Sequence, residues 1–169
     1  GNPHSGIFNP LADAIGQYRY RVVSEGCFTQ IATVTVAVDV ATNPGVGASR
    51  NFCETQLGTL GNLNLFSILT NSPQTTGTWT SSIATQGGHL GTVNLDALTV
   101  GSYTFTYTTP ANGVCTAPFA TVVIIIDPIP NAGTAVNGGI LPVCASDSSF
   151  NLMTLLTGAQ SGGAWTVDG

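Results

Sequence analysis

The feature that most restricts the fold of this chain is that it repeats itself at the length of a small domain. Residues 6–45 return as residues 91–133 with one short insertion. Gly6, Asn9, Gly16, Tyr18 and Tyr20 correspond to Gly91, Asn94, Gly101, Tyr103 and Phe105. Further on, Cys27, Ala32, Thr33, Val34, Asp39, Asn43 and Gly45 correspond to Cys115, Ala120, Thr121, Val122, Asp127, Asn131 and Gly133. The other half recurs as well: Cys53, Asn64-Leu65-Phe66, Leu69 and Trp79-Thr80 match Cys144, Asn151-Leu152-Met153, Leu156 and Trp165-Thr166. The offsets cluster near about 88 residues, a period of domain size rather than that of a short solenoid unit. This register predicts the C-terminal part of one repeat at 1–42, a complete repeat at 43–130 and the N-terminal part of the next at 131–169. The chain accordingly reads as a segment of a longer tandem array.

Within the complete repeat the apolar residues follow the two-residue period of strands. Tyr103, Phe105 and Tyr107 alternate with Thr104, Thr106 and Thr108, which predicts a strand with one buried face. Val122, Ile124 and Ile126 form one row of the next run and Thr121, Val123 and Ile125 the other. In the earlier copy the second row is Thr33, Thr35 and Ala37, so the change to Val123 and Ile125 marks a possible interface covered by a neighbouring domain or chain. Asn64 to Leu69 is read as a strand, Gly77 to Thr80 as another, and Gln86 to Gly91 as a turn. About seven short strands in about 90 residues, without an amphipathic helix, point to an all-β fold of tandem immunoglobulin-like β-sandwich repeats. Asp127-Pro128-Ile129-Pro130 and Asn43-Pro44 then serve as proline-stiffened linkers.

Charge excludes several functions. With three Lys+Arg against eight Asp+Glu, and no lysine, no basic stripe exists to neutralise phosphates. Nucleic acid is therefore not an expected partner, and neither is an anionic lipid surface. The longest aliphatic run, Val122 to Ile126, is far short of the roughly 20 residues that span a bilayer. Catalysis is not expected either, since neither a Gly-x-Ser-x-Gly elbow nor a phosphate-cradling glycine loop is present. His4 and His89 share a His-x-Gly-x-x-Asn pattern, but no second ligand stands near either, so they read as turn residues and no metal or cofactor is expected.

Trp79, Trp165, Tyr18 and Tyr103 read as core and corner residues of the sandwich. The alternative for the tryptophans is an exposed platform for stacking sugar rings. Each repeat carries two cysteines, which admit two pairings. In one, Cys53 joins Cys115 inside the complete repeat while Cys27 and Cys144 pair outside the segment; in the other, Cys27 joins Cys53 and Cys115 joins Cys144 across the linkers. The first is preferred, because a bond closing a loop of about 60 residues restricts the unfolded chain by roughly 4 kcal/mol in the chain-entropy model. Four buried free thiols are the remaining possibility, and the spacing matches no close-set zinc motif.

Pro130-Asn131-Ala132-Gly133, Cys144, Phe150-Asn151-Leu152 and Gly162-Gly163-Ala164-Trp165, together with Gly101 to Phe105, Cys115 and Ala120-Thr121-Val122, carry a resemblance. The chain resembles, over essentially its whole length, the repeat of giant cell-surface adhesins of Bacteroidetes, the SprB-type gliding-motility adhesins among them. That resemblance implies export by the type IX secretion system, display as extracellular filaments attached to the outer membrane, and adhesion while the gliding machinery moves the protein. Its implied partners are neighbouring repeats, surface glycans or other filament proteins, and it transfers no catalytic residue. Two rivals stand beside it: a carbohydrate-binding array of a secreted polysaccharide-degrading protein, and a static surface sheath assembled through Val123 and Ile125.

Overall fold

The computed structural model describes residues 4–167, so the outermost residues of the first and third segments, 1–3 and 168–169, lie outside the described residues. The architecture is all-β: strands in several small sheets, joined by single 3-10 turns, with no α-helix among the described residues. Among the described residues no helix is long and apolar enough to cross a membrane.

Residues 4–42 contribute one antiparallel hairpin, β1 (Gly16–Val22) with β2 (Gln30–Val36). The central stretch holds six strands: β3 (Ser49–Cys53), β4 (Asn62–Asn64), β5 (Thr78–Thr80), β6 (Thr92–Asn94), β7 (Gly101–Thr108) and β8 (Phe119–Asp127). A one-residue bridge between Val46 and Thr70 supplements them, against the seven strands expected. Strands β3, β8, β7 and β5 form a four-stranded sheet in that order, with β3 parallel to β8 and the other pairs antiparallel. A second, two-stranded sheet joins β4 to β6. The last segment carries only β9 (Thr134–Ala135) paired with β10 (Leu156–Thr157).

Alternation along β7 and β8 decides which face is buried. Phe105, Tyr107, Val122 and Ile124 are fully inaccessible, and they pack with Leu65, Ile68, Leu69, Val93, Leu95 and Leu98 from β6 and the 3-10 turns around it. Removing these side chains from water supplies the main driving force for the central unit, at about 1.5–3 kcal/mol for each large aliphatic or aromatic group. The equivalent hairpin of the first segment lacks such a partner: Tyr20 is 73% exposed where Phe105 is 0%, and Val34 is 62% exposed where Val122 is 0%. Its register also differs. Tyr18 faces Val34, whereas Tyr103 faces Ile124, a slip of two residues that preserves the side-chain faces.

Several expectations change. Asn64 to Leu69 is not a strand, because after β4 the chain closes into a 3-10 turn at Leu65–Ile68. The Ser67 hydroxyl donates to Asn64 O at 2.7 Å, and the Asn64 side chain accepts from Ser67 N, a local pattern that competes with sheet pairing. The same turn recurs at Leu152–Leu155, where Asn151 accepts from Met153 N and Thr154 donates to Asn151 O. Trp165 is not a core residue here, being 56% exposed and outside any strand. Its counterpart Trp79 is held on β5 by pairing with β7, and residues 131–167 contain no counterpart of β7 to do the same.

Candidate functional site

The approach to the central unit, residues 39–45, is tied to it by several hydrogen bonds. The β7–β8 connection turns at Asn112 to Cys115, closed by Cys115 N donating to Asn112 O at 2.9 Å. That turn presents Val114 N to Asp39 Oδ2 at 2.9 Å and Asn112 Nδ2 to Val40 O at 2.9 Å. Gly113 lies in the left-handed region at φ +56°, and a Cβ there would collide with the Asp39 carboxylate. Glycine is thus required both by conformation and by the closeness of the linker. Thr42 Oγ1 donates to Pro110 O at 2.7 Å and lies 2.9 Å from Thr109 Oγ1.

Immediately afterwards Asn43 is locked from both sides of its peptide. Asn43 N donates to Gln74 Oε1 and Gln74 N donates to Asn43 O, both at 2.9 Å, while Asn43 Nδ2 donates to Asn71 O at 2.7 Å. Asn43 Oδ1 accepts from Gly45 N at 2.9 Å. Three of these four bonds recur at Asn131: Asn131 N to Gln160 Oε1 at 3.0 Å, Gln160 N to Asn131 O at 2.9 Å and Gly133 N to Asn131 Oδ1 at 2.8 Å. Sequence reasoning noted Asn43 and Asn131 but missed Gln74 and Gln160, whose recurrence was the available signal.

The tyrosines and tryptophan are structural. Tyr103 Oη donates to Thr99 O at 2.9 Å, and Tyr18 Oη donates to Ala14 O at 2.6 Å, the same four-residue reach in both copies. Each is half-buried; Tyr103 packs at the edge of the core, while Tyr18 meets His4 and Phe8 edge-on. Trp79 is half-buried against the core with its ring 5.0 Å from Tyr107, and its Nε1 donates to His89 O at 2.9 Å. The ring is committed to the fold on these sides.

The outward face of the four-stranded sheet is a hydroxyl-rich plane. Thr80, Thr106 and Thr121 form one cross-strand row, and Thr104, Val123 and Ser49 the next. Ile125 stands between Ser102 and Asn51, and Asn51 Nδ2 donates to Asp127 Oδ2 at 2.9 Å. Val123 and Ile125 are half-buried with these flanking residues beside them in their own sheet.

The preferred cysteine pairing does not fit this geometry. Cys53 stands opposite Asp127 at one end of β8, whereas Cys115 precedes Phe119 at the other. The nine-residue strand between these ends is about 26 Å long at about 3.3 Å per step, and a disulfide needs Cα atoms within about 7 Å. All four cysteines are free, Cys27 and Cys144 exposed and Cys53 and Cys115 half-buried, so they are not the buried thiols of the remaining possibility. The Thr55 hydroxyl donates to Cys53 Sγ at 3.1 Å and the Ser146 hydroxyl to Cys144 Sγ at 3.2 Å. These bonds hold both thiols below their ordinary value by favouring the thiolate.

No group of three or more metal-capable side chains occurs among the described residues. His4 lies 3.4 Å from Asp13, and His89 packs edge-on against Phe66. Asp96 is a structural anchor: its carboxylate accepts from Gly58, Leu60 and Gly61 N at 2.8, 3.1 and 2.9 Å. Partial burial raises its pKa, but these amides outweigh that effect and leave it below the usual carboxylate range. Two surface depressions have mixed polar and apolar linings, one formed by Asn62, Ile83, Gln86, Thr92, Val93 and Asn94 and one beside Trp79 and His89. No protein-family model, no curated protein and no solved structure matches the chain.

Proposed function

We propose that the chain is a structural and adhesive segment of a large extracellular surface filament, built from tandem immunoglobulin-like β-sandwich repeats of about 88 residues. The observation that carries this reading is the lock whose reciprocal asparagine–glutamine pair and asparagine–glycine bond occur both at Asn43 with Gln74 and at Asn131 with Gln160. A joint whose asparagine–glutamine pair recurs at the repeat period suits a protein whose task is to hold a fixed spacing between units. The half-buried Trp79, tied to His89 O, supports this reading over a sugar-stacking platform. The hydroxyl-rich surroundings of Val123 and Ile125 weigh against a static sheath assembled there. By resemblance to the Bacteroidetes repeats, the filament is a gliding-motility adhesin exported by type IX secretion and attached to the outer membrane. Adhesion by such an array is multivalent, each unit contributing weakly.

Live imaging of the native cells with a fluorescent antibody fragment against residues 43–130 tests the proposal. Label travelling along the cell body is the expected result. Label fixed on the surface overturns the motility assignment in favour of a sheath, and label found only in the medium overturns surface attachment.

A further inference from the structure

We propose that the cysteines form staples between successive repeats, the first cysteine of one repeat, represented by Cys53, bonding the second cysteine of the repeat that follows, represented by Cys115. The inference rests on the tandem-repeat reading and goes beyond it by assigning the covalent partner of every thiol.

The argument turns on one aspartate seen from two sides. Asp39 and Asp127 are equivalent positions in the repeat, Asp127 closing β8 and Asp39 lying just past the end of β2. Looking forward from Asp39, the thiol of the following unit is at hand: Cys115 Sγ lies 3.4 Å from Asp39 O. It is fixed there by the bonds from Val114 N to Asp39 and from Asn112 to Val40 O. Looking back from Asp127 into the unit it closes, its direct partner in the parallel ladder is Cys53, with adjacent strands about 4.8 Å apart. A single junction aspartate therefore has a Cys53-type residue beside it in its own sheet and a Cys115-type sulfur against its carbonyl from the next unit. Both cysteines fall within one residue of the same point, which is the separation a disulfide spans.

This arrangement accounts for two further observations. Cys53 and Cys115 sit at opposite ends of β8 because each serves a different joint. All four cysteines are free because, in the array, the mate of Cys115 belongs to the repeat before its own and the mate of Cys53 to the repeat after. The contact of a hydroxyl two residues on with the first-type sulfur, at Thr55 and again at Ser146, gives that position the same surroundings in both copies.

Bond formation proceeds by exchange with an external disulfide oxidant. One cysteine thiolate attacks that disulfide and expels a thiolate, and the second cysteine attacks the resulting mixed disulfide and expels the other. The new S–S bond is thus balanced by reduction of the oxidant to two thiols, which take up the two protons. The staple places a covalent link parallel to the linker at each joint, so tension along the filament is shared with the bonds around Asp39 and Asn43.

The test is peptide mapping of the native protein, alkylated before denaturation and digested with pepsin at low pH, where exchange is suppressed. A Cys115 peptide linked to a first-type cysteine peptide of an adjoining copy is expected, and the linked species splits into its two components on reduction. A Cys53 to Cys115 link, a Cys27 to Cys53 link, a Cys115 to Cys144 link, or alkylated thiols at Cys53 and Cys115 overturns the staple. The same digest separates the two levels of the argument. Copies of the unit that are present but linked otherwise remove the staple alone, whereas the lack of any further copy removes the tandem reading and the staple with it.

Discussion

The hydroxyl of Tyr107 holds the backbone at Gly77 from inside the core, accepting from Gly77 N at 3.0 Å and donating to Gln74 O at 2.7 Å. Tyr107 is fully inaccessible and Gly77 is buried, with no room for a Cβ against the tyrosine ring. This one side chain therefore connects the central sheet to the loop whose Gln74 locks Asn43.

Replacing Tyr107 by Phe keeps the ring and removes both bonds, leaving a buried amide without a partner. The expected cost is about 1–3 kcal/mol, read as a lower midpoint in urea with an unchanged slope. Amide exchange at Asn43 should also rise. An unchanged midpoint would show that water replaces the hydroxyl and that the connection is dispensable.

How far the sequence foretold this fold depends on whether a contact is written locally. The alternation of Phe105 and Tyr107 with threonines, and of Val122, Ile124 and Ile126 with their neighbours, is a property of successive residues and marks the buried faces of β7 and β8 correctly. Ser49 to Cys53 has no such alternation, so its parallel pairing with a strand some 70 residues away was not legible. The short apolar run at Leu65 carries no period that separates strand from 3-10 turn; the deciding signal was the recurrent asparagine at 64 and 151. Spacing alone misled the cysteine pairing, because loop length says nothing about which end of β8 a residue occupies. Asp39 was visible as a repeated residue, but its contact with Val114 exists only in space.

Acid should destabilise the fold through Asp96. Its folded-state pKa is depressed, so its contribution is fully present above the unfolded carboxylate value of about 3.9 and is lost as pH falls through the folded value. Asp13, depressed by the amide of Asn9 and further by His4, acts in the same window. Denaturation curves between about pH 6 and pH 2 should therefore show falling stability, and Asp96→Asn should flatten the decline without abolishing it. A wild-type slope retained in full by the variant would remove Asp96 from the account.

The joint should loosen when the turn can no longer seat on the linker. Asp39→Ala removes the acceptor of Val114 N, and Gly113→Ala drives a methyl group toward the Asp39 carboxylate at a strained φ. Either change should raise exchange of the Val114 amide by roughly tenfold, the equivalent of losing one hydrogen bond to a charged group. Exchange at the far end of β7, where Gly101 to Tyr103 pair with Ile124 to Ile126, should stay the same. Equal acceleration in both places would mean that the variants unfold the unit rather than free the joint.

Neighbouring isoleucines on β8 should respond very differently to the same substitution. Ile124 is 0% exposed and faces Leu65 and its companions, so Ile124→Thr loses apolar burial and places a hydroxyl in the core, at a cost of about 2–4 kcal/mol. Ile125 points the other way, between Ser102 and Asn51, where a threonine hydroxyl meets polar neighbours and a β-branched side chain is retained. Ile125→Thr should thus shift stability by less than about 1 kcal/mol and leave the sedimentation coefficient unchanged. Loss of an oligomer on Ile125→Thr would instead restore the outward face of β8 as a lateral contact, and the sheath reading with it.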